Sequence, residues 1–469
     1  MNRKEFLGIA AGAAAQLPVA AGAQAEAAPN RSARPGGSPF ALRGVYFHDG
    51  FTAEPKSQAP LYWDFDAWRR QLAWLHDCGI NAVEFATMLE FNRLPSTALE
   101  RRKIADRLRI LRYAHSLGMK FGYLLTNTVL STVPDGEEPG HQEQNRATTL
   151  CPRIPGNFEK TIAIPKFYME TYRDSDFFEE FAADWGGCNC GQCDVSDYLR
   201  YVRTLAEHLT TVQPKARIYA DTWCISFWRK DPLAQGWKEM FDREIAGSRA
   251  VIEALPKLPA NVHLALPCHH LYRPLTFESY GNKAQTPVFP TVEDVRKVRA
   301  AGRDVLAWPH FVMDDDAYRA KSWGIVHSEV RYIQALLQSL LAAGIERVIG
   351  NLYLPLLQLS NTYAYGKLLN EPDSDPRAIL RDFSRLAARR EDVAKLTDVL
   401  TWMENNSFWQ HQMPPDGRLP ALPCRLTRAD AVRLAEEIRP NTYKSVLPVS
   451  AENWLRDLRR SIRRMDWTS

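Results

Sequence analysis

The chain has 469 residues, a formal net charge of +4, and 45% hydrophobic and 24% charged residues. That length suits one large barrel with an appendage better than one small domain, and the balance is that of an ordinary soluble protein. No basic block is dense enough to follow a phosphate backbone, which excludes nucleic acid as an expected partner.

The opening stretch, MNRKEFLGIAAGAAAQLPVAAGAQA, reads as an export signal over residues 1–25. It has a basic start at Arg3 and Lys4, an Ala-rich apolar middle, and Ala23-Gln24-Ala25 as a cleavage site. RKEFL is one substitution from a twin-arginine start, and Lys4 leaves the ordinary secretory route open. The segment is too short and small-sided for a membrane span. Residues 26–39 follow as a flexible leader, so the mature protein is expected in the periplasm or secreted.

From Phe40 a short apolar strand, a polar loop and an amphipathic helix recur. LRGVYFHDG is the first strand, DFDAWRRQLAWLHDCG a helix, NAVEFATML the second strand, and ALERRKIADRLRILRYAHSLG a helix. KFGYLLTNT and DFFEEFAAD are the third and fourth strands, VSDYLRYVRTLAEHLTTV the next helix, and ARIYADTW the fifth strand. A helix near Trp237 to Leu255 leads to VHLALPCHH; TVEDVRKVRAAG leads to DVLAWPHF; SEVRYIQALLQSLLAAG leads to ERVIGNLYL. Eight strands alternating with helices predict a (β/α)8 TIM barrel over residues 40–372, with a C-terminal helical region over 373–469.

In such barrels the chemistry sits at the C-terminal strand ends. Those ends carry His48 and Asp49, Glu84, Asn127, Asp184, Asp221, His269, Trp308, Asn351 and Tyr353, with Asp315 in the loop after strand seven. Carboxylates, imidazoles, amides and aromatic rings around one mouth suit a neutral polyol. Trp223, Trp308 and Tyr353 are candidates to stack on sugar rings. Alternation is read from Asp184 backwards: with Asp184 facing the axis, Glu180 lies beneath it in the lumen and Glu179 points the other way. A glycosidase needs a protonated acid beside the leaving oxygen and a second carboxylate. Asp184 is the first candidate for the acid, and Asp221, Asp315 or Glu180 for its partner. Asp184 also suits a turn before Trp185-Gly186-Gly187, and Glu180 a buried ion pair.

Three islands carry a family resemblance. DWGGCNCGQC, SNTYAYGKLLNEPDSDPRAILRDF and TTLCPRIP resemble segments of bacterial family 163-type glycosidase barrels, which are related to family 20 hexosaminidases and family 67 α-glucuronidases. The resemblance spans about residues 40–385 and implies an exported glycoside hydrolase acting on an oligo- or polysaccharide. The adjacent Asp-Glu pair of family 20 after strand four is missing here. The resemblance also places Cys151 near Cys188, Cys190 and Cys193. Those four sulfurs suit a closed structural zinc site, one or two disulfides, or free buried thiols, and no cofactor is expected for catalysis. Two rival readings use the same barrel. One is a non-catalytic carbohydrate-binding protein; the other is a metal-dependent hydrolase or lyase using His48, Asp49 and His269 or His270.

Overall fold

The computed structural model describes residues 37–48, 60–86, 94–95, 98–126, 151–181, 193–222, 225, 237–266, 289–308, 325–352, 354–407, 418–443 and 446–465. Among the described residues, eight strands alternate with eight helices. The strands are β1 (Leu42–His48), β2 (Ala82–Ala86), β3 (Lys120–Thr126), β4 (Phe177–Phe181), β5 (Arg217–Asp221), β6 (Val262–Leu266), β7 (Val305–Ala307) and β8 (Arg347–Asn351). The helices between and after them are α1 (Phe65–Asp77), α2 (Ala98–Ser116), α3 (Asn157–Thr171), α4 (Val195–Val212), α5 (Trp237–Ala254), α6 (Val292–Ala300), α7 (Val330–Ala342) and α8 (Leu359–Asn370). Each strand pairs in parallel with the next, and β8 pairs with β1, which closes the barrel. The expected (β/α)8 TIM barrel is the fold.

The strands are largely buried on both faces, so they read as apolar runs with few polar exceptions, among them Glu84, Glu179, Glu180 and Asp221. One helix escapes the sequence pattern. α3 carries Pro165 in its interior, which ordinarily breaks a helix at a cost of about 3 kcal/mol. It holds because Phe158, Ile162, Ile164, Tyr168 and Met169 are all buried around that proline.

Register fixes the layers inside the barrel. Tyr46 pairs with Glu84, Leu124 with Glu179, Phe181 with Asp221, and Asp221 with Ala265. The one-residue stagger per strand of such a barrel puts alternate strands at one height. Tyr46, Leu124, Asp221 and Trp308, from the odd strands, therefore form one layer. Glu84, Glu179, Ala265 and Ile349, from the even strands, form the layer beneath. Gly122, Tyr219 and Leu306 lie below that with Gly44, and Phe177 lower still. Packing agrees: a Cβ on Gly122 would sit 2.1 Å from the Phe177 ring, so only glycine fits there. The floor at the N-terminal end is ionic: Asp304 pairs with Arg217 and with Arg347 at 3.1 Å. Burial and the nearby Arg217 push His263 down to about 4, and its Nδ1 accepts from the Asp304 N–H.

After the barrel come α9 (Pro376–Ala387), α10 (Val393–Asn405), α11 (Arg428–Glu437) and α12 (Ala451–Arg464). They dock on the β7–β8 side. Glu404 of α10, fully buried, accepts from the Val330 and Arg331 main-chain N–H groups at 2.7 and 2.9 Å and from Arg331 Nε at 3.1 Å. Ser461 Oγ of α12 accepts from the Val326 N–H at 2.7 Å. A carboxylate from one region thus caps the start of a barrel helix in the other. The island SNTYAYGKLLN is α8 and its task here is packing. Asn361 accepts from the Glu329 N–H, and Tyr363 stacks on Trp74. Gly366 comes so close to Cys78 that a Cβ would lie 2.2 Å from its carbonyl oxygen. Among the described residues no helix is long and apolar enough to cross a membrane.

Candidate active site

Three acidic side chains meet in the upper lumen: Glu84 of β2, Glu179 of β4 and Asp221 of β5, each with 0% exposure. Asp221 belongs to the layer nearer the C-terminal mouth; Glu84 and Glu179 sit one layer lower. Trp308 and Tyr46 share the Asp221 layer, their rings edge-to-face at 5.2 Å, and Phe181 approaches Trp308 from above at 6.0 Å. Asn351 is fully buried and pairs in register with Tyr46.

The electrostatics follow from this crowding. Burial, then the Asp221 charge, pushes the Glu84 carboxyl up to about 8. Burial first, then Glu84 and Asp221, holds Glu179 well above the ordinary carboxylate range. Glu84 faces the Trp308 indole and Glu179, and Glu179 faces Asp221. The four oxygens of Glu84 and Glu179 take no hydrogen bond of regular geometry. Three carboxyl groups cannot all ionise in so dry a place.

The placement of Glu180 is a correction. Phe177 and Phe181 pack with Tyr219, Ala265 and Trp308 inside the barrel, so Glu179 between them is the lumen residue. Glu180 points outward and is fully buried under α4; burial alone raises its carboxyl well above the usual range. Its neighbours are Tyr198 and Tyr201, whose hydroxyl acidity the Glu180 charge further weakens. Among the described residues no Arg or Lys pairs with it. Alternation counted from the Asp184 end of the run gave the wrong parity. Counting from Phe177, the first apolar residue of β4, gives the right one.

Glu84, Asp221, Trp308 and Asn351 lie in the upper lumen, and Glu179 and Tyr46 join them there. His48 ends β1. Asp49, Asn127, Asp184, Cys188, Cys190, Trp223, His269, Asp315 and Tyr353 lie outside the described residues. Cys151 and Cys193 do approach, with their sulfurs 3.7 Å apart. Cys151 lies ahead of α3 and Cys193 just ahead of α4, which starts with a capping box of Asp194 and Asp197, and Arg153 grips Asp197 at 2.7 Å. Among the described residues no group of three or more His, Cys, Asp or Glu side chains has the arrangement of a metal site.

No protein family and no curated protein matches the chain at the level of sequence. Solved structures do share its fold, and they include glycoside hydrolases. A GH138 enzyme targeting the pectin rhamnogalacturonan II superposes with a TM-score of 0.54 at 9% identity, covering 91% of this chain and 70% of that one. A mutant O-GlcNAc hydrolase from Thermobaculum terrenum superposes with a TM-score of 0.47 at 12% identity, covering 78% of this chain and 67% of that one. At these identities the likeness is one of fold.

Proposed function

We propose that this chain is an exported glycoside hydrolase that cleaves a glycosidic bond in an oligo- or polysaccharide by carboxylate acid–base chemistry, without a catalytic cofactor. The observation that carries this reading is the gathering of Glu84, Glu179 and Asp221 in two successive layers at the C-terminal end of the lumen. A protein that only binds sugar has no use for three mutually repelling acids in a dry site, where each raises the free energy of its neighbours. A glycosidase does, because its two working carboxylates must differ in protonation.

We assign Asp221 as the working carboxylate, since it ends β5 and lies one layer nearer the mouth than Glu84 and Glu179. Asp184, from the segment after β4, remains the proposed proton donor. The narrower likeness to families 20, 67 and 163 rests on the three sequence islands. The export signal over residues 1–25 fits an enzyme that meets its polysaccharide outside the cytoplasm. The test is a screen of aryl glycosides and of plant and gut oligosaccharides with the wild type, Asp221→Asn and Asp184→Asn. Cleavage by the wild type that both variants lose supports the reading. Equal cleavage by all three, or by none on any glycoside, overturns it.

A further inference from the structure

We propose that Glu84 and Glu179 are positioning residues: a neutral pair of carboxylic acids that forms the floor under Asp221 and fixes the orientation of its carboxylate. The proposal rests on the glycosidase reading for its catalytic consequence, and on geometry for the pair itself.

The two acids come from β2 and β4, on either side of β3, and the register sets them in one layer directly under that of Asp221. Both are fully buried, with the Tyr46–Leu124–Asp221–Trp308 layer between them and the mouth. Neither is therefore placed to touch substrate. The groups around them are Tyr46 of β1, Asp221 and Tyr219 of β5, Trp308 of β7 and Asn351 of β8; among the described residues the charges that act on either acid are those of the other acids. A buried carboxyl without a cation or a main-chain donor keeps its proton. A protonated carboxyl is a donor, and acceptors are what this site offers.

One order of donation uses every proton once. The Trp308 indole N–H donates toward Glu84, the Glu84 O–H toward Glu179, and the Glu179 O–H toward the Asp221 carboxylate. A charge-assisted hydrogen bond of this last kind is about twice as strong as a neutral one. It orients Asp221 without neutralising it. Burial and the Asp221 charge raise the proton affinity of both acids, which favours the neutral form of each. Strand alternation read from the wrong end hides Glu179 in the sequence, so the pair emerges only once register is known.

The experiment uses the full chain with Glu84→Gln, Glu179→Gln, Glu179→Leu and, as a marker, Asp221→Asn. Infrared difference spectra at pH 7 between wild type and each Gln variant should show loss of a protonated carboxyl C=O stretch. The Asp221 carboxylate stretch, identified by Asp221→Asn, should shift in Glu179→Leu and stay near its wild-type position in Glu179→Gln, whose amide still donates. Ionised carboxylate bands in place of protonated ones, or an Asp221 band indifferent to Glu179→Leu, overturn the pair. These readouts need no substrate, so they stand apart from any failure of the glycosidase reading. On a cleaved glycoside, Glu179→Leu should lose ~10²-fold in kcat with KM changed by less than ~3-fold, while Glu179→Gln stays within ~10-fold. The alkaline limb of the kcat profile should move upward in Glu84→Gln, which cannot ionise. Wild-type kcat and pH profile in Glu179→Leu overturn the positioning role.

Discussion

The hydroxyl of Tyr198, on α4, lies 2.7 Å from the main-chain carbonyl of Asp221 and 2.8 Å from that of Glu180, and donates to them. One helix residue thus ties the ends of β4 and β5 together from outside the barrel, behind the acid that faces the lumen. Tyr198→Phe keeps the ring and removes the only group of that side chain that can donate. A buried carbonyl deprived of its donor costs about 1–3 kcal/mol. We expect a lower melting temperature and, because Asp221 loses its rear anchor, a fall in kcat of roughly 3- to 30-fold with KM little changed. Thermal melts and steady-state kinetics on the same preparation check both. An unchanged kcat in a clearly destabilised variant would restrict Tyr198 to stability.

What the sequence discloses and what it hides follow from the size of each signal. The barrel is legible because eight apolar runs recur with helices between them, and β1 to β8 fall inside the expected segments. Asp221, Trp308 and Asn351 are legible because a polar or aromatic residue ending an apolar strand is conspicuous. Glu179 is not, because two adjacent glutamates in FFEEF differ only in parity, and parity depends on where the strand begins. α3 is hidden by Pro165, whose local penalty is outweighed by burial that no local pattern records. The SNTYAYGKLLN island carries part of the family resemblance, and its described contacts are those of packing: Tyr365 donates to the Gly44 carbonyl at 3.0 Å, and Gly366 lets α8 rest on the end of α1.

Cys151 and Cys193 should act as a unit. Their 3.7 Å sulfur separation is set by the start of α4 on one side and the approach to α3 on the other. Cys151→Ser and Cys193→Ser should each destabilise the fold, and the double variant should be no worse than either single one, a coupling that two independent thiols would not show. For a disulfide the loss is about 2–4 kcal/mol, and peptide mapping of the unreduced protein finds the two cysteines linked. For zinc, metal analysis finds the ion, and a chelator reproduces the variants' destabilisation. Additive single effects would mean the two thiols are merely neighbours.

The raised Glu84 carboxyl makes a stability prediction with a definite sign. Its ordinary value is 4.5 and burial brings it to about 8 in the folded chain. Below the ordinary value both folded and unfolded chains hold the proton, and the favourable contribution is complete. As the pH rises, the unfolded chain releases its proton first, so the folded state loses ground until the pH passes the folded value. Glu84→Gln has no proton to lose. The variant should therefore gain on the wild type steadily between pH ~4.5 and ~8, by on the order of 3–5 kcal/mol in all, and then hold a constant lead. Chemical denaturation of both proteins across that range is the measurement. A stability difference that does not vary with pH would mean that Glu84 keeps its ordinary proton affinity.

Asp221 and Glu180 offer the sharpest contrast, because both are fully buried acids at the ends of adjacent strands and they point in opposite directions. Asp221→Asn keeps the volume of the side chain and removes its charge. It should also relieve Glu84 and Glu179, since the Asp221 charge is among the causes that raise both. The variant is thus expected to fold at least as stably as the wild type while losing ~10²–10⁴-fold in kcat. Glu180→Gln should do the opposite. Glu180 is held neutral under α4, so an amide of equal size replaces a group that was already uncharged, and kcat should stay within a factor of ~3 of wild type. The pair must be compared on one glycoside at one pH, with circular dichroism to confirm folding. If Glu180→Gln abolished turnover while Asp221→Asn spared it, the orientation of β4 and the assignment of Asp221 would both have to be abandoned.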